Sequence, residues 1–490
     1  MSTDAASDGI VRSSMDATVG ETARKRSLSP DSDTDVEDFM KRPRLTATLS
    51  VSSLAETTYS EMPSFSQSSP RTNRTWASRL LTDDVISSGL AMMRSASVAS
   101  SLDFRSSSPM VQTFSETSAK HHMKPTKTTI DFSVASGLDA ATTWPVGWST
   151  DNTIVFGRGN RVYTKSLTTA EDVAQLCKIK DTQGDLQLIS CAGKEHPHIV
   201  AVATSKGYFQ VWDTNAKKVI AHRKTNGILA MSWNGHTFTI GGPKGTIRMY
   251  DIRATGADGK LKEATKKLTR HQAGITSLAW NRDGKILASG DKTGTVLCWD
   301  DRMTAPLDVG ELIQRRKKMQ HEGPITALAW SPWQSKIFAS GDSAADLTGT
   351  IRIWNVNAST IHNTPDKIEL DAAVTSIHFT EHCKEIVSTH GPGKPTPIPP
   401  TRNDNFDVVN HDPIPSKFSN SLVVHSYPSL RHVVTLKAAS ANIAGSLLSP
   451  NGYRVMLAVP EESKLKLWDV WGKPMLKRTP SVLSYDGRIR

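Results

Sequence analysis

The groupings most capable of chemistry in this chain are two histidine pairs, His121-His122 and His196-Pro197-His198, whose imidazoles suit a transition-metal cation. His-x-His in a strand turn is most often plain surface, so neither a metal nor any other cofactor is expected. Cys177, Cys191, Cys298 and Cys383 show neither CxxC pairing nor even spacing, which argues against a zinc site and a disulfide framework and favours a reducing, intracellular compartment. Catalysis would need a nucleophile, an acid/base pair or a phosphate cradle at compatible spacing. The chain has no G-x-S-x-G elbow, no G-x-x-x-x-G-K-[ST] loop and no H-E-x-x-H helix, so no enzyme is expected. Arg315-Arg316-Lys317-Lys318 is the densest basic run. No RNP, KH or zinc-knuckle pattern accompanies it, and it reads as an exposed, solvated connection, not a nucleic-acid site.

These residues sit in a repeating pattern. ILAMSWN (228–234), ITSLAWN (275–281), ITALAWS (325–331) and VTSIHFT (374–380) are four versions of one alternating strand that ends in a large aromatic. Downstream come YFQVWD, TIRMYD, TVLCWD and TIRIWN, whose aromatics Trp212, Tyr250, Trp299 and Trp354 each follow a glycine by five residues: Gly207, Gly245, Gly294 and Gly349. A tight hairpin needs positive φ, which glycine adopts without steric cost. Weaker copies extend the series to strand ends at Tyr163, His425 and Trp468, giving seven units. The pattern predicts an all-β fold, a seven-bladed WD-repeat β-propeller over residues 126–478, with a Pro-rich exposed insertion at 391–418. His271 and His321 stand before inner strands, where imidazoles serve as internal hydrogen-bond struts. Trp280, Trp299, Trp330 and Trp354 recur at the unit period, so they belong to the core.

The first 125 residues differ in texture. Ser, Thr, Asp and Arg dominate, and without apolar periodicity such a segment cannot bury enough surface to offset its ordering entropy, so a long disordered N-terminal region is expected. Lys25-Arg26 and Lys41-Arg42-Pro43-Arg44 flank an acidic spacer as in a bipartite nuclear import signal, which implies residence in nucleus and cytoplasm. Ser29, Ser69 and Ser108 each precede proline and are candidates for proline-directed phosphorylation. Residues 1–125 carry 14 basic and 15 acidic side chains, so the chain's +11 belongs to residues 126–490, which hold +12. No stretch approaches the roughly 18 apolar residues of a membrane span, so no membrane partner is expected.

HEGPITALAWSPWQSKIFASGDSAADLTGTIRIWN, with Pro332-Trp333-Gln334 inside it, resembles the fifth blade of the fizzy and fizzy-related family, the activators of the anaphase-promoting complex. VAVATSKGYFQVWD, HQAGITSLAWNRDGKILASGDKTG and KEIVSTHG resemble that family's second, fourth and sixth blades. GLDAATTWPVGWSTDNTIVFGRGNRVY resembles its propeller entry. The resemblance implies a non-catalytic, substrate-recruiting activator, a divergent fungal-type or meiosis-specialised member, that presents degron-bearing substrates such as cyclin-like proteins and also meets checkpoint inhibitor proteins. A WD-repeat scaffold that no longer activates the ligase and assembles another intracellular complex is the alternative. The terminal Ile489-Arg490, at residues 479–490 a flexible tail, matches the family's dipeptide for docking on helical-repeat subunits of the ligase. An aliphatic side chain, a guanidinium and a free carboxylate suit a groove between stacked helices. The family's N-terminal docking box survives only as Asn73-Arg74-Thr75-Trp76-Ala77-Ser78-Arg79, which keeps Arg74, Ser78 and Arg79. The family's Asp-Trp-Ser is here Gly147-Trp148-Ser149, so the carboxylate that would face a degron arginine is missing; Glu461 and Glu462 are the candidates to replace it. Lys292-Thr293-Gly294 replaces the family's Asn-Asp-Asn turn, which puts recognition of KEN degrons in doubt.

Overall fold

The structure is a computed structural model, and it describes residues 115–473 apart from 140–142, 170–171, 358–363, 399–400, 403–407 and 410–412. The import-signal residues Lys25, Arg26, Lys41, Arg42 and Arg44, the serines Ser29, Ser69 and Ser108, the box Asn73, Arg74, Ser78 and Arg79, and Ile489-Arg490 lie outside the described residues.

Seven antiparallel sheets follow one another along the chain, each ordered outward from a first strand. Those first strands are Val146–Trp148, Leu186–Cys191, Ala230–Asn234, Ile275–Trp280, Ile325–Trp330, Ala372–Phe379 and Gly445–Leu448. All seven aromatic or histidine markers fall on third strands, so the repeat count read from the sequence is the blade count. The seventh blade is completed from the other end of the domain: Lys124–Asp131 pairs with Lys464–Asp469, placing Ile130 opposite Leu465 and Asp131 opposite Lys464. This closure removes the free gap a linear array would leave. Order therefore begins before residue 125, with Ala119–His122 helical and the closing strand starting at Lys124.

The recurring residues tie blades together. Thr276 Oγ1 donates to the Ile325 carbonyl (2.5 Å) and Thr326 Oγ1 to the Val374 carbonyl (2.5 Å), each reaching the next blade. The strand-end indoles reach back instead: Trp233 Nε1 to Ser190 O (3.2 Å), Trp280 Nε1 to Thr239 Oγ1 (3.0 Å) and Trp330 Nε1 to Ala279 O (2.9 Å). The Pro-Trp-Gln turn does the same for blades five and six, with Trp333 stacked on Tyr427 at 5.6 Å.

His271 and His321 act as struts. His271 bonds Ser289 Oγ through Nε2 (2.7 Å) and Asp291 Oδ2 through Nδ1 (2.8 Å), while Trp299 Nε1 donates to the same serine (2.8 Å). His321, Ser340 and Trp354 repeat this in blade five. Burial pushes the Asp291 carboxyl up, but hydrogen bonds from His271, Thr293 and Thr295 outweigh it and hold the group below its ordinary range.

Three sequence expectations need correction. Gly207, Gly245 and Gly294 do have positive φ, but in blade five the left-handed residue is Leu347 (φ 66), and Gly349 is required by close approach: a Cβ there would sit 2.6 Å from the Ala372 carbonyl oxygen. The basic run at 315–318 is not a connection. Arg316–Gln320 is the fourth strand of blade four, and a hairpin through Gln314 and Arg315, both at positive φ, adds Glu311–Ile313 as a fifth. The insertion also starts later than residue 391, because the second strand of blade six runs Glu385–Gly393, and it contains a two-stranded sheet, Thr401–Arg402 with Val408–Val409.

Candidate binding cleft between the first and last blades

The seam between blades seven and one is stitched by the segment that leaves the closing strand. Phe132 N donates to Ser463 O (3.1 Å) on blade seven, and Ser133 N donates to Gly157 O (3.1 Å) on blade one. Arg158, at the end of strand Thr153–Arg158, donates through Nε to the Asp131 carbonyl (2.9 Å) and lies 5.2 Å from the Tyr163 ring centroid and 5.4 Å from that of Phe156. A fixed guanidinium thus occupies the rim where sequence reasoning expected acidity.

The residues proposed for the cleft are separated by the fold. Gly147 is buried in the first strand of blade one, and its missing Cβ points at blade two, 2.7 Å from Cys191 Sγ and 3.1 Å from Ile189 Cγ2. Trp148 packs in the interface of blades seven and one and donates from Nε1 to Asn152 Oδ1 (3.1 Å). It adjoins the turn between first and second strands, whereas Glu461 and Glu462 lie in a 3-10 turn, Pro460–Glu462, between second and third strands, at the opposite face of the ring. Glu462 accepts from Ser440 N (3.0 Å), Ser440 Oγ (2.8 Å) and Lys466 Nζ (2.5 Å). Burial raises its pKa, but those donors prevail and hold it at about 2. Glu461 accepts from Asn442 Nδ2 (3.1 Å). The two carboxylates therefore brace the connection between blades six and seven. Gly147 and the glutamates do not form one acidic cleft.

An Asp at position 147 would not restore such a cleft. Gly147→Asp is expected to drive a carboxylate into the packed interface with blade two, costing about 3 kcal/mol from overpacking and burial of charge. A urea midpoint unchanged from the parent would show that this interface is looser than described.

Down the axis runs a channel of about 1200 Å³ lined by the first strands of all seven blades. Lys292 and Asn442 stand at the mouth shared with the Glu461-Glu462 turn. Lys206 and Lys244 occupy the corresponding turns of blades two and three, and all three lysines are exposed. Thr293 Oγ1 bonds Asp291 (2.6 Å), so this turn is internally satisfied in place of the polar turn expected for KEN recognition. Sequence reasoning missed Arg158 and the lysine series; a cation beside each turn glycine was the available signal.

Candidate nucleophiles are quenched. Burial pushes the Cys177 and Cys383 thiols to about 12 and raises those of Cys191 and Cys298, and all four cysteines are unpaired. His122 donates from Nε2 to the Glu116 carbonyl (2.7 Å), which commits that nitrogen to the backbone. His196 is not isolated surface: it meets His236 of blade three at 2.8 Å, while His198 pairs with Asp151 (3.2 Å).

Protein FIZZY-RELATED 3 of Arabidopsis thaliana is 28% identical over 330 residues, 66% of this chain and 58% of its own length. The B-type cell cycle switch protein ccs52B of Medicago truncatula is 27% identical, covering 70% of this chain and 60% of its own, and the WD repeat-containing protein slp1 of Schizosaccharomyces pombe is 26% identical over 68% and 59%. The chain is a relative of the fizzy and fizzy-related proteins. It spans about three-fifths of the length of these curated relatives. A model of the β-propeller of nucleolar protein 10-like N-terminal domains also matches, over residues 148–387, within the propeller of this fizzy relative. A chain in the crystal structure of the mitotic checkpoint complex shares the fold, with a TM-score of 0.57 at 23% identity over 76% of this chain and 98% of that one.

Proposed function

We propose that this chain is a non-catalytic activator of the anaphase-promoting complex that recruits degron-bearing substrates, cyclin-like proteins among them, to the ligase. The observation that carries this reading is the collinear match to fizzy-related proteins across the propeller, 66% of this chain in the first of them. In this reading Ile489-Arg490 and the degenerate box Asn73-Arg74-Ser78-Arg79 anchor the protein on helical-repeat subunits, and two weak contacts on one chain raise avidity by roughly 10² or more over either alone. In this reading the bipartite basic clusters Lys25-Arg26 and Lys41-Arg42-Pro43-Arg44 support residence in nucleus and cytoplasm. The fold shared with the checkpoint-complex chain supports checkpoint inhibitor proteins as further partners. Lys206, Lys244 and Lys292 beside the channel mouth favour substrate segments richer in acid than in base.

A second reading, a scaffold without ligase activation, is favoured by one observation: Glu461 and Glu462 are engaged within the propeller and Arg158 holds the opposite rim. Purified protein added to activator-free ligase with a cyclin fragment separates the two. An activator yields ubiquitin chains on the fragment. Co-purification with the ligase without chain formation sinks activation and leaves the scaffold.

A further inference from the structure

We propose that Glu195, His196 and His236 form a binding site for a divalent transition cation of the zinc class, on the seam between blades two and three. The three residues converge from equivalent turns of adjacent blades: Glu195 and His196 precede strand Ile199–Thr204, and His236 precedes strand Thr237–Gly241. One carboxylate oxygen and two ring nitrogens lie within 4.8 Å of one another. His196 Nε2 and His236 Nδ1 are 2.8 Å apart, with ring centroids at 4.4 Å. Two neutral imidazoles and a carboxylate are a ligand set that zinc accepts with a fourth position left open.

The backbone holds the donors ready. His196 N donates to Gly193 O (3.0 Å), Ile199 N to His196 O (3.1 Å), and Ile252 N to His236 O (3.1 Å), so both turns are closed by main-chain bonds. Gly235 has φ +54, and a Cβ there would sit 2.9 Å from Glu195 Oε2. Glycine thus permits both the turn and the approach of the carboxylate. Without a cation the two rings share a proton, Nε2 or Nδ1 donating to the other's lone pair. With His196 carrying its proton on Nδ1 and His236 carrying its proton on Nε2, both facing lone pairs are free for a metal, with no net proton released. Asp251, the nearby carboxylate that senses His236, is bound to Arg253 at 2.8 Å and so is committed elsewhere. The histidines are half-buried and Glu195 is exposed, which leaves an entry path from solvent. The bound cation would cross-link blades two and three and present an open coordination position to water or a partner's side chain.

The test uses the full chain, stripped with chelator and titrated with Zn²⁺ against a chromophoric indicator. One cation per chain is expected, with His196→Ala and His236→Ala each weakening uptake roughly tenfold or more, and Glu195→Gln less. Zn²⁺ at a hundredfold excess over its dissociation constant is expected to raise the melting temperature by roughly 4 °C, with Mg²⁺ ineffective. His121→Ala/His122→Ala should leave uptake unchanged. All three residues lie on turns, so melting of the metal-free variants at the parent's temperature establishes that folding is intact. No saturable uptake, or equal uptake by the His196→Ala/His236→Ala double variant, overturns the site. Cobalt substitution gives an independent reading: visible absorption bands that disappear in the double variant support it, and bands that persist there count against it.

Discussion

A chain beginning at Ser133 is expected to lose its cooperative unfolding transition, whereas one beginning at Ser115 retains it. The closing strand Lys124–Asp131 supplies the outer edge of blade seven, and its removal exposes the row of backbone groups on Lys464–Asp469 that it pairs. Ile130 and Phe132, 5% and 1% exposed, would be lost with it, each accounting for roughly 2 kcal/mol of apolar burial. The segment just before the strand adds a polar debt. The buried Glu385 carboxylate accepts from Ser118 Oγ (2.5 Å), Ala119 N (3.0 Å) and Trp471 Nε1 (2.8 Å), and truncation removes the first two of these donors. An under-satisfied buried carboxylate costs a few kcal/mol more. Together these losses are comparable with the whole stability of a typical domain, about 5–15 kcal/mol. Guanidinium unfolding followed by tryptophan fluorescence checks the point: equal midpoints for the two truncations would mean that the ring is closed by something other than this strand.

That strand was hidden in the sequence for a physical reason. KPTKTTID alternates lysine and threonine, with buried Ile130 its sole large apolar residue, because an outermost strand has most of its surface in water. The inner strands were legible for the opposite reason: ILAMSWN and ITSLAWN are packed on both faces and repeat the threonine or indole that reaches the neighbouring blade. His271 and His321 could be read as struts because each stands at the same place in its unit, four residues before the inner strands that begin at Ile275 and Ile325. The proposed cleft was not legible. The sequence places Gly147 where the family resemblance implies Asp, but does not show that its Cα faces Cys191; it shows two glutamates, but not that Ser440 and Asn442 have already engaged them. His196 and His236 are 40 residues apart on different blades, and only the packing of blade two on blade three brings their turns together.

Blade six departs from the strut pattern in a way that makes the propeller sensitive to acid. Register places Ser388, His390 and His425 where blade four has Ser289, Asp291 and Trp299. His390 bonds Ser388 Oγ through Nε2 (2.8 Å) and is fully buried; His425 is 5% exposed. Burial drives both imidazoles down to about 4, with further lowering at His390 from His425 and at His425 from His432. Backbone hydrogen bonds of His390 to Ala372 and Ala373 oppose this shift but are outweighed by burial; Phe418 lies 6.4 Å from the His390 ring, and Lys417, held over that phenyl, brings a cation near His432. Both histidines are therefore neutral in the folded state down to about pH 4, whereas in the unfolded chain they take up protons from about pH 6.5. Between those limits the unfolded state binds more protons, so stability is complete above the window and is lost as pH falls through it. Each buried imidazole contributes roughly 3 kcal/mol if independent, and less for the pair together because they interact. Asp291 and Asp342, held below the ordinary carboxylate range, weaken the fold only at still lower pH, whereas His378 on the first strand of the same blade, which burial also drives down to about 4, adds a share that survives in a His390/His425 variant. Urea midpoints measured at pH 7.5, 6 and 5 are expected to fall steeply, and the slope is expected to flatten in His390→Asn/His425→Gln. If the parent's midpoint does not change between pH 6.5 and 5, or the double variant falls as steeply as the parent, blade six is not the acid-sensitive element.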